Sequence, residues 1–322
     1  MPAGRPPGSD DLTLPRSAER LMERASAYAA ATRSPATLKA YASDWAHFEE
    51  WTGRHGASAL PAEPVAVAMY VTDLATTHKP GTLTRRLAAI SVMHQRHGLT
   101  SPTVDPRVRE ILRGVRRTEG VAARRASPLG LGELRRMIAH LPDTTAGSRD
   151  RAILLVGFAG ALRRSELVAL RVDDVEWRDE GAVLHIRRSK ADQEAAGREV
   201  ALPRGKDEQS CPVDALRSWL AEGDISRGQL FRSVDRHGNV GEQLSDRAIV
   251  LVIRRAATAA GLDPDKYSGH SLRAGFATTA AAHGASERRI AVQTGHRSME
   301  VLRGYIRHAT VFTDNAVNDL GL

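Results

Sequence analysis

Apolar residues recur at helical spacing in the first third of the chain, and this periodicity limits the region to an all-helical fold. The segment SPATLKAYASDWAHFEEW shows it best. Ser34 stands at its N-cap and Pro35 at the first helical position, where the N–H that proline lacks would have no intrahelical partner. The residues that share one face are Leu38, Tyr41, Trp45 and Phe48. The segment therefore predicts an amphipathic helix that buries its aromatic side chains.

Three further segments continue the helical pattern. One helix is predicted to start at Pro64, another covers KPGTLTRRLAAISVMHQRHG and ends at Gly98, and a last one covers DPRVREILRGVRR. Residues 17–118 are therefore predicted to form an all-helical domain. The Pro- and Gly-rich residues 1–16 are expected to be a disordered tail, and residues 119–126 a linker.

Residues 127–322 have a mixed pattern. The longest apolar run, AILLVGFAGAL, is too short to span a bilayer and predicts a buried helix. The stretches VLHIRRSK and GREVALP predict two strands of a hairpin, with ADQEAA between them. Helical segments resume from residue 212. The expected fold is mainly α with a small β-hairpin or sheet, an α+β domain following a helical bundle.

Charge and cysteine content narrow the class of protein. The chain carries 46 Lys and Arg against 38 Asp and Glu, a net charge of +8, and such a surplus favours a polyanionic partner. The single cysteine, Cys211, excludes an internal disulfide and a multi-cysteine zinc site. The N-terminus has no apolar signal-peptide segment. A cytoplasmic protein without a membrane partner, associated with the nucleoid when bound to DNA, is expected.

Common catalytic motifs are absent from the sequence. There is no GxxxxGK[ST] loop and no HExxH motif. His270, His296 and His308 have no carboxylate or cysteine partners at ligand-like spacing. We therefore expect neither a metal nor another cofactor.

A set of cations around one tyrosine remains. Taken singly, each has an ordinary explanation: Tyr305 as a packed tyrosine, Arg163 as the ion-pair partner of Glu166, Lys190 as a solvated side chain. Together they recur along the second domain in the segments LRRSEL, IRRSK, GHSLRAG, TGHRS and VLRGYIRHAT. The residues concerned are Arg163, Lys190, His270, Arg273, His296 and Tyr305.

In type, order and spacing, these residues resemble the site of the tyrosine recombinases, or phage-type integrases. The pattern is closest to the simple Cre-like members, and SDWAHFEEW, RRLAAISVMHQRHGL and SGHSLRAGFA extend the similarity beyond the site. One departure is His296, which stands where Cre has tryptophan. Any single motif is weak evidence, but six positions in the family order are strong evidence.

Physical chemistry supports the same assignment. Attack on a DNA phosphodiester increases the negative charge on phosphorus-bound oxygens. Two guanidiniums, those of Arg163 and Arg273, can each donate forked hydrogen bonds to these oxygens. Charge arranged before the reaction in this way lowers the barrier to phosphoryl transfer and can replace a metal.

The resemblance also implies a role for each remaining residue. Tyr305 would attack the phosphate and form a covalent 3′-phosphotyrosine, leaving a free 5′-hydroxyl. Lys190, at the hairpin tip, would protonate the departing oxygen. His270 would assist proton transfer, His296 would donate to a phosphate oxygen, and Glu166 would orient the site from behind. Because the phosphotyrosine conserves the bond energy, no ATP is needed.

Contacts of the helical domain with DNA are expected from basic and amide side chains near its helices. The alternative for these residues is a solvated helix face. They are Lys39, Lys79, Arg85, Arg86, Gln95, Arg96, Arg116 and Arg117.

The resemblance finally implies an assembly. The two domains would close as a C-clamp around double-stranded DNA with inverted-repeat sites, and four identical protomers would join two sites. Off DNA the chain would be a monomer or weak dimer. A type IB topoisomerase, a telomere resolvase and a non-catalytic DNA-binding protein on the same fold are the alternatives.

Overall fold

The computed structural model describes residues 21, 24, 32–120, 127–187, 197–296, 298–312 and 315–320. The chain divides into two compact units, Met1–Arg124 and Arg125–Leu322. The hairpin tip with Lys190 and residues 1–16 lie outside the described residues.

The first unit is helical in all its described elements. Its helices are α1 (Pro35–Arg54), α2 (Pro64–Ala75), α3 (Pro80–Arg96) and α4 (Pro106–Thr118). Each begins with proline at the first helical position, as predicted for α1 and α2. The Ser34 hydroxyl accepts a hydrogen bond from the Thr37 N–H at 3.2 Å, so it caps α1 as expected.

An aromatic cluster forms the core of this unit. Trp45, Phe48 and Trp51 of α1 pack with Tyr70 of α2, and Ile90 of α3 completes the cluster. The Trp51 indole N–H donates to Asp73 at 2.8 Å, so its polar atom has a partner. Of the apolar stripe predicted for α1, Trp45 and Phe48 are buried in this cluster, whereas Leu38 and Tyr41 are half-buried.

The second unit begins with helices and continues into a sheet. The helices are α5 (Leu131–Ala139), α6 (Thr145–Ala159) and α7 (Arg164–Ala169). α6 contains most of the apolar run and is buried along residues 152–158. The helix ends within this run, with Gly160 as its C-cap residue, and Ala161 has a positive φ of 47° in the turn that follows.

The sheet has three antiparallel strands in the order β1 (Val175–Arg178), β2 (Gly181–Ile186) and β3 (Arg198–Pro203). Ala182 pairs with Leu202 across β2 and β3, and with Trp177 across β1 and β2. The predicted hairpin corresponds to β2 and β3, whereas β1 was not predicted. Because β1 is short and mostly exposed, it lacks the apolar alternation that marks a strand.

Helices complete the second unit. They are α8 (Pro212–Glu222), α9 (Asp246–Ala259), α10 (Ser271–Ala282), α11 (Glu287–Thr294) and α12 (Met299–Thr310). The last three helices share a small apolar cluster of Ala277, Ala281, Ile290 and Leu302, and Tyr305 packs on its edge. The expected fold class, mainly α with a small sheet, is confirmed. Within the described residues, no helix is both long and apolar enough to cross a membrane.

Candidate active site

Arg163 and Glu166 meet at the start of α7. Arg163 is the N-cap residue, and its backbone N–H donates to Glu166 Oε2 at 3.0 Å. Its guanidinium donates to Glu166 Oε1 at 2.5 Å. The Glu166 carboxylate is buried, so this pair fixes the direction of the Arg163 side chain. The ion pair that the sequence allowed as the ordinary explanation is thus present within the candidate site.

The C-terminal end of α11 gathers arginines from three elements. Arg198, the first residue of β3, donates to the carbonyl of Gln293 at 2.9 Å. Arg273 of α10 donates to the Thr294 carbonyl. Arg163 donates to Gly295, the residue that ends the helix, at 3.5 Å. The last carbonyls of a helix lack intrahelical donors and carry partial negative charge, which favours cations there.

Arg273 is the most deeply buried of these arginines, with 1% of its surface exposed. Its Nη1 also donates to the Ala161 carbonyl at 2.9 Å, in the positive-φ turn after α6. Its Nη2 is buried without a hydrogen-bond partner among the described residues. A buried guanidinium N–H without an acceptor is costly. An anion bound at this point would satisfy it.

The Tyr305 hydroxyl lies beside an imidazole. His270, the N-cap residue of α10, places its Nε2 at 2.8 Å from Tyr305 Oη. Tyr305 is half-buried and projects from the second half of α12. The two rings have centroids 6.2 Å apart. The packing of α12 on α10 thus brings together two residues separated by 35 positions in sequence.

His296 follows the glycine that ends α11. Its Nδ1 lies 2.7 Å from Thr294 Oγ1. The Thr294 hydroxyl donates its single proton to the Ile290 carbonyl at 2.7 Å, so we assign the Nδ1 proton of His296 to the bond with Thr294. In the neutral ring this leaves Nε2 as an acceptor. The His296 and Tyr305 ring centroids are 6.2 Å apart.

The cluster of arginines changes the pKa of its neighbours. Burial, followed by the charges of Arg273 and Arg163, lowers the pKa of His296 to about 4. Burial and then the charge of Arg163 lower the pKa of Arg273 to about 10, so it remains protonated at neutral pH. His296 is therefore neutral while its arginine neighbours are charged.

Glu166 stays ionised in spite of its burial. Burial raises the pKa of its carboxyl, but the Arg163 N–H bond and the charges of Arg198 and Arg163 outweigh this effect. Its pKa lies below the ordinary value. Arg163 and Arg198 thus contact the Glu166 carboxylate, and with the neighbouring Arg273 the site has excess positive charge.

The structure thus brings together five of the six residues in the sequence pattern, along with Glu166. Lys190 lies outside the described residues. Arg198 was missed, although it is the second residue of the stretch that predicted β3, because arginine at a strand start has no distinctive pattern. Among the described residues, no group of three or more His, Cys, Asp or Glu side chains could hold a metal ion.

The basic residues selected in the first unit are mostly exposed. Lys39 lies on α1, and Arg85 on α3 is held by the buried Asp44 carboxylate through bonds of 2.7 and 3.0 Å. Arg116 of α4 donates to Thr84 of α3 at 3.0 Å. The other exposed members are Lys79, Gln95, Arg96 and Arg117.

Arg86 corrects the expectation for this group. It is only 9% exposed, and its guanidinium donates to the Tyr70 hydroxyl at 2.6 Å inside the bundle. The side chain lies over the Tyr70 ring, 5.9 Å from its centroid. Arg86 shares a helix face with the buried Leu83 and Ile90, at spacings of three and four residues. It is part of the core and is not placed to contact DNA.

Comparison with known proteins decides the family. The model of the phage integrase family matches residues 129–311, more than half of the chain. The chain belongs to the phage integrase family. The resemblance to tyrosine recombinases is confirmed, and the protein is an enzyme that breaks and rejoins DNA strands in site-specific recombination.

Relatives within the phage integrase family extend along almost the whole chain. An integrase/recombinase XerD homolog of Selenomonas ruminantium is 38% identical and covers 93% of this chain and 89% of its own length. Recombinase Cre of Escherichia phage P1 is 27% identical, with 80% of each chain covered.

Solved structures share the fold of this phage integrase family member. The Tn1549 transposon integrase in complex with transposon right end DNA matches with a TM-score of 0.63 at 12% identity, covering 94% of this chain and 96% of its own. A lambda integrase dimer bound to a COC′ core site matches with a TM-score of 0.57 at 15% identity, covering 92% and 82%.

Proposed function

We propose that Tyr305 cuts DNA by forming a covalent 3′-phosphotyrosine, and that strands are exchanged between two short sites without metal or ATP. The observation that carries the proposal is the 2.8 Å contact between the Tyr305 hydroxyl and His270, beside a cluster of arginines that includes the buried Arg273. A tyrosine hydroxyl has an ordinary pKa of about 10, so it needs a base or cations to react near neutral pH. Both are present here.

The first step transfers two protons and exchanges one phosphorus–oxygen bond for another. His270 Nε2 accepts the proton of Tyr305, and the phenolic oxygen forms a bond to phosphorus. The bond from phosphorus to the 5′-oxygen breaks, and Lys190 donates a proton to this oxygen. The attack of a 5′-hydroxyl from the second DNA reverses the step and joins the exchanged strands.

Arginines supply the electrostatic part of the reaction. Arg163 and Arg273 bind the non-bridging oxygens, and Nη2 of Arg273, which has no hydrogen-bond partner among the described residues, can donate to one of them. Because Glu166 and the carbonyls of α11 hold these guanidiniums before DNA binds, little reorganisation is needed in the transition state. His296 lies at the same edge and contacts a phosphate oxygen once the ring is protonated.

The proposed assembly follows the expectation from the sequence. Residues 17–118 act as the core-binding domain, residues 119–126 as the linker and residues 127–322 as the catalytic domain. Double-stranded DNA with inverted-repeat sites is the substrate, and four identical protomers on two sites perform the exchange. The reaction takes place in the cytoplasm, with the protein on the nucleoid while bound to DNA.

The test asks whether Tyr305 is the residue that becomes covalently bound to DNA. The wild type, Tyr305→Phe and the control Tyr41→Phe are incubated with duplexes from the gene's own locus, in EDTA and without ATP. Tyr41 is a half-buried tyrosine of α1 in the first unit. We expect a protease-sensitive, SDS-resistant protein–DNA adduct with the wild type and the control, and none with Tyr305→Phe.

Other outcomes support other functions. An adduct that survives Tyr305→Phe would place the nucleophile elsewhere. Relaxation of any supercoiled plasmid would favour a topoisomerase, and hairpin-ended products a telomere resolvase. Specific binding without any adduct in the wild type would favour a non-catalytic DNA-binding protein.

A further inference from the structure

Arg198 connects three parts of the site that are distant in sequence. It is the first residue of β3, and its Nη2 donates to Glu166 Oε2 at 3.0 Å. Its Nη1 donates to the Gln293 carbonyl at 2.9 Å, in the last turn of α11. The planar fork of a guanidinium lets one side chain hold a carboxylate and a carbonyl in fixed relative positions.

The glycine before His296 accommodates this arginine. Gly295 has a φ of +62°, a conformation that favours glycine. A Cβ at this position would lie 3.0 Å from both Cδ and Nε of Arg198. The Arg198 side chain therefore packs directly under the turn that leads from α11 to His296.

Arg198 is well shielded from solvent. Its side chain is 17% exposed, and its Nε is buried without a hydrogen-bond partner among the described residues. Its positive charge helps to keep Glu166 ionised. Arg198 thus contacts Glu166, which binds Arg163, and it also packs against the turn that positions His296.

We propose that Arg198 is a positioning residue for the cleavage reaction, which holds the Arg163–Glu166 pair and the His296 turn in register. The inference rests on the proposed function, since it assigns Arg198 a part in the attack by Tyr305. Arg198 also adjoins, through Gly197, the hairpin segment that carries Lys190 in the sequence. It sets geometry and is not a phosphate ligand.

The activity test compares Arg198→Gln and Arg198→Lys with a matched control, Arg178→Gln. Arg178 lies in the same sheet and pairs with Glu176 at 2.8 Å, but this pair is exposed. Single-turnover adduct formation is measured over a range of DNA concentrations. We expect Arg198→Gln to slow cleavage at saturating DNA about 10- to 100-fold, the range known for residues that orient metal ligands by hydrogen bonds, with unchanged DNA affinity.

The lysine variant separates charge from geometry. It keeps the charge but lacks the fork that reaches Glu166 and Gln293 together, so we expect only partial recovery of the rate. Gly295→Ala perturbs the same contact from the other side and should slow cleavage as well. Combined with Arg198→Gln it should add less than its own effect, because both changes break one interaction. Thermal melting of each variant verifies that it folds.

A measurement without DNA separates this inference from the proposed function. The ring ¹³C–¹H signal of His296, assigned with His296→Gln, should move in Arg198→Gln and stay in place in Arg178→Gln. An unmoved signal would overturn the inference, as would wild-type cleavage by both Arg198 variants or a loss confined to DNA affinity. If the wild type forms no adduct while the His296 signal moves, the proposed function fails and Arg198 is only a structural link.

Discussion

Two adjacent arginines show how strongly local position determines the role of a residue. Arg163 is the N-cap of α7, and its side chain is 20% exposed against a buried carboxylate. Arg164 begins the helix and points outward, to an exposed pair with Asp246 at 3.2 Å. The helix start turns consecutive side chains to different sides. Arg163 can pair with Glu166 and still bind a phosphate. The ion pair uses some of its guanidinium N–H groups and fixes the direction of the others.

The neutral state of His296 leads to a prediction about pH. Its pKa of about 4 in the free protein reflects burial and nearby arginines. A bound phosphate adds negative charge and raises that pKa, so the complex holds more protons than the free protein below neutral pH. DNA affinity should therefore increase as the pH falls from about 7.5 towards about 5.5.

Binding is measured by fluorescence anisotropy in a Tyr305→Phe background, which prevents cleavage. His296→Gln should flatten the pH dependence. The control is His283→Gln, which removes an exposed histidine at the end of α10. A pH dependence that is unchanged in His296→Gln would show that this ring takes up no proton on binding, and His270 would be the next group to test.

Helix α12 is held in the second unit by few buried side chains. Leu302 is its one fully buried residue within the described part of that helix, and it packs against Ala277, Ala281 and Ile290. Loss of a buried leucine costs about 2–5 kcal/mol in a packed core. Leu302→Ala should thus loosen α12, accelerate its hydrogen exchange and slow adduct formation, while DNA binding by the rest of the chain persists.

Val301 offers the matched control for this change. It is the preceding residue and is 46% exposed, so Val301→Ala removes apolar atoms from the same helix without opening a cavity. It should leave both hydrogen exchange and cleavage close to those of the wild type. Equal slowing by both variants would contradict the idea that α12 is held through Leu302.

The helices and strands also show which structural features can be predicted from the sequence. Helix starts at Pro35 and Pro64 were predictable because capping and proline geometry are local. Strand β1 was not, since its stability comes from pairing with β2. The spacing of Arg86 from Leu83 and Ile90 indicated that it lies on the buried face of its helix. A buried arginine also needs a hydrogen-bond partner, and the sequence does not show which residue this is. The partner, Tyr70, lies on another helix.

For the candidate site, too, local patterns were visible in the sequence and tertiary contacts were not. Spacing and order were enough to select Arg163, His270, Arg273, His296 and Tyr305, because each stands in a recognisable segment. What sequence could not give is the convergence of arginines on the carbonyls of α11, which depends on the packing of β3 and α10 around that helix. Arg198 was missed for this reason.

For the whole molecule, a net charge of +8 leads to a prediction about salt. Each phosphate contact releases about one counterion from duplex DNA, so affinity should fall steeply with salt concentration. Lys39 and Arg117 are exposed on α1 and α4, and Arg86 is buried. Lys39→Gln and Arg117→Gln should each reduce the slope of log affinity against log salt by about one.

Arg86→Gln provides the contrast within the same unit. It removes one positive charge, as the other two variants do, but also the donor to Tyr70 in the core. Its melting temperature should fall while the slope stays at the wild-type value, because a buried guanidinium contacts no phosphate. Binding is measured at several salt concentrations in the Tyr305→Phe background. A slope reduced by Arg86→Gln and unaffected by Lys39→Gln and Arg117→Gln would reverse the assignment and move the DNA-binding face of this unit.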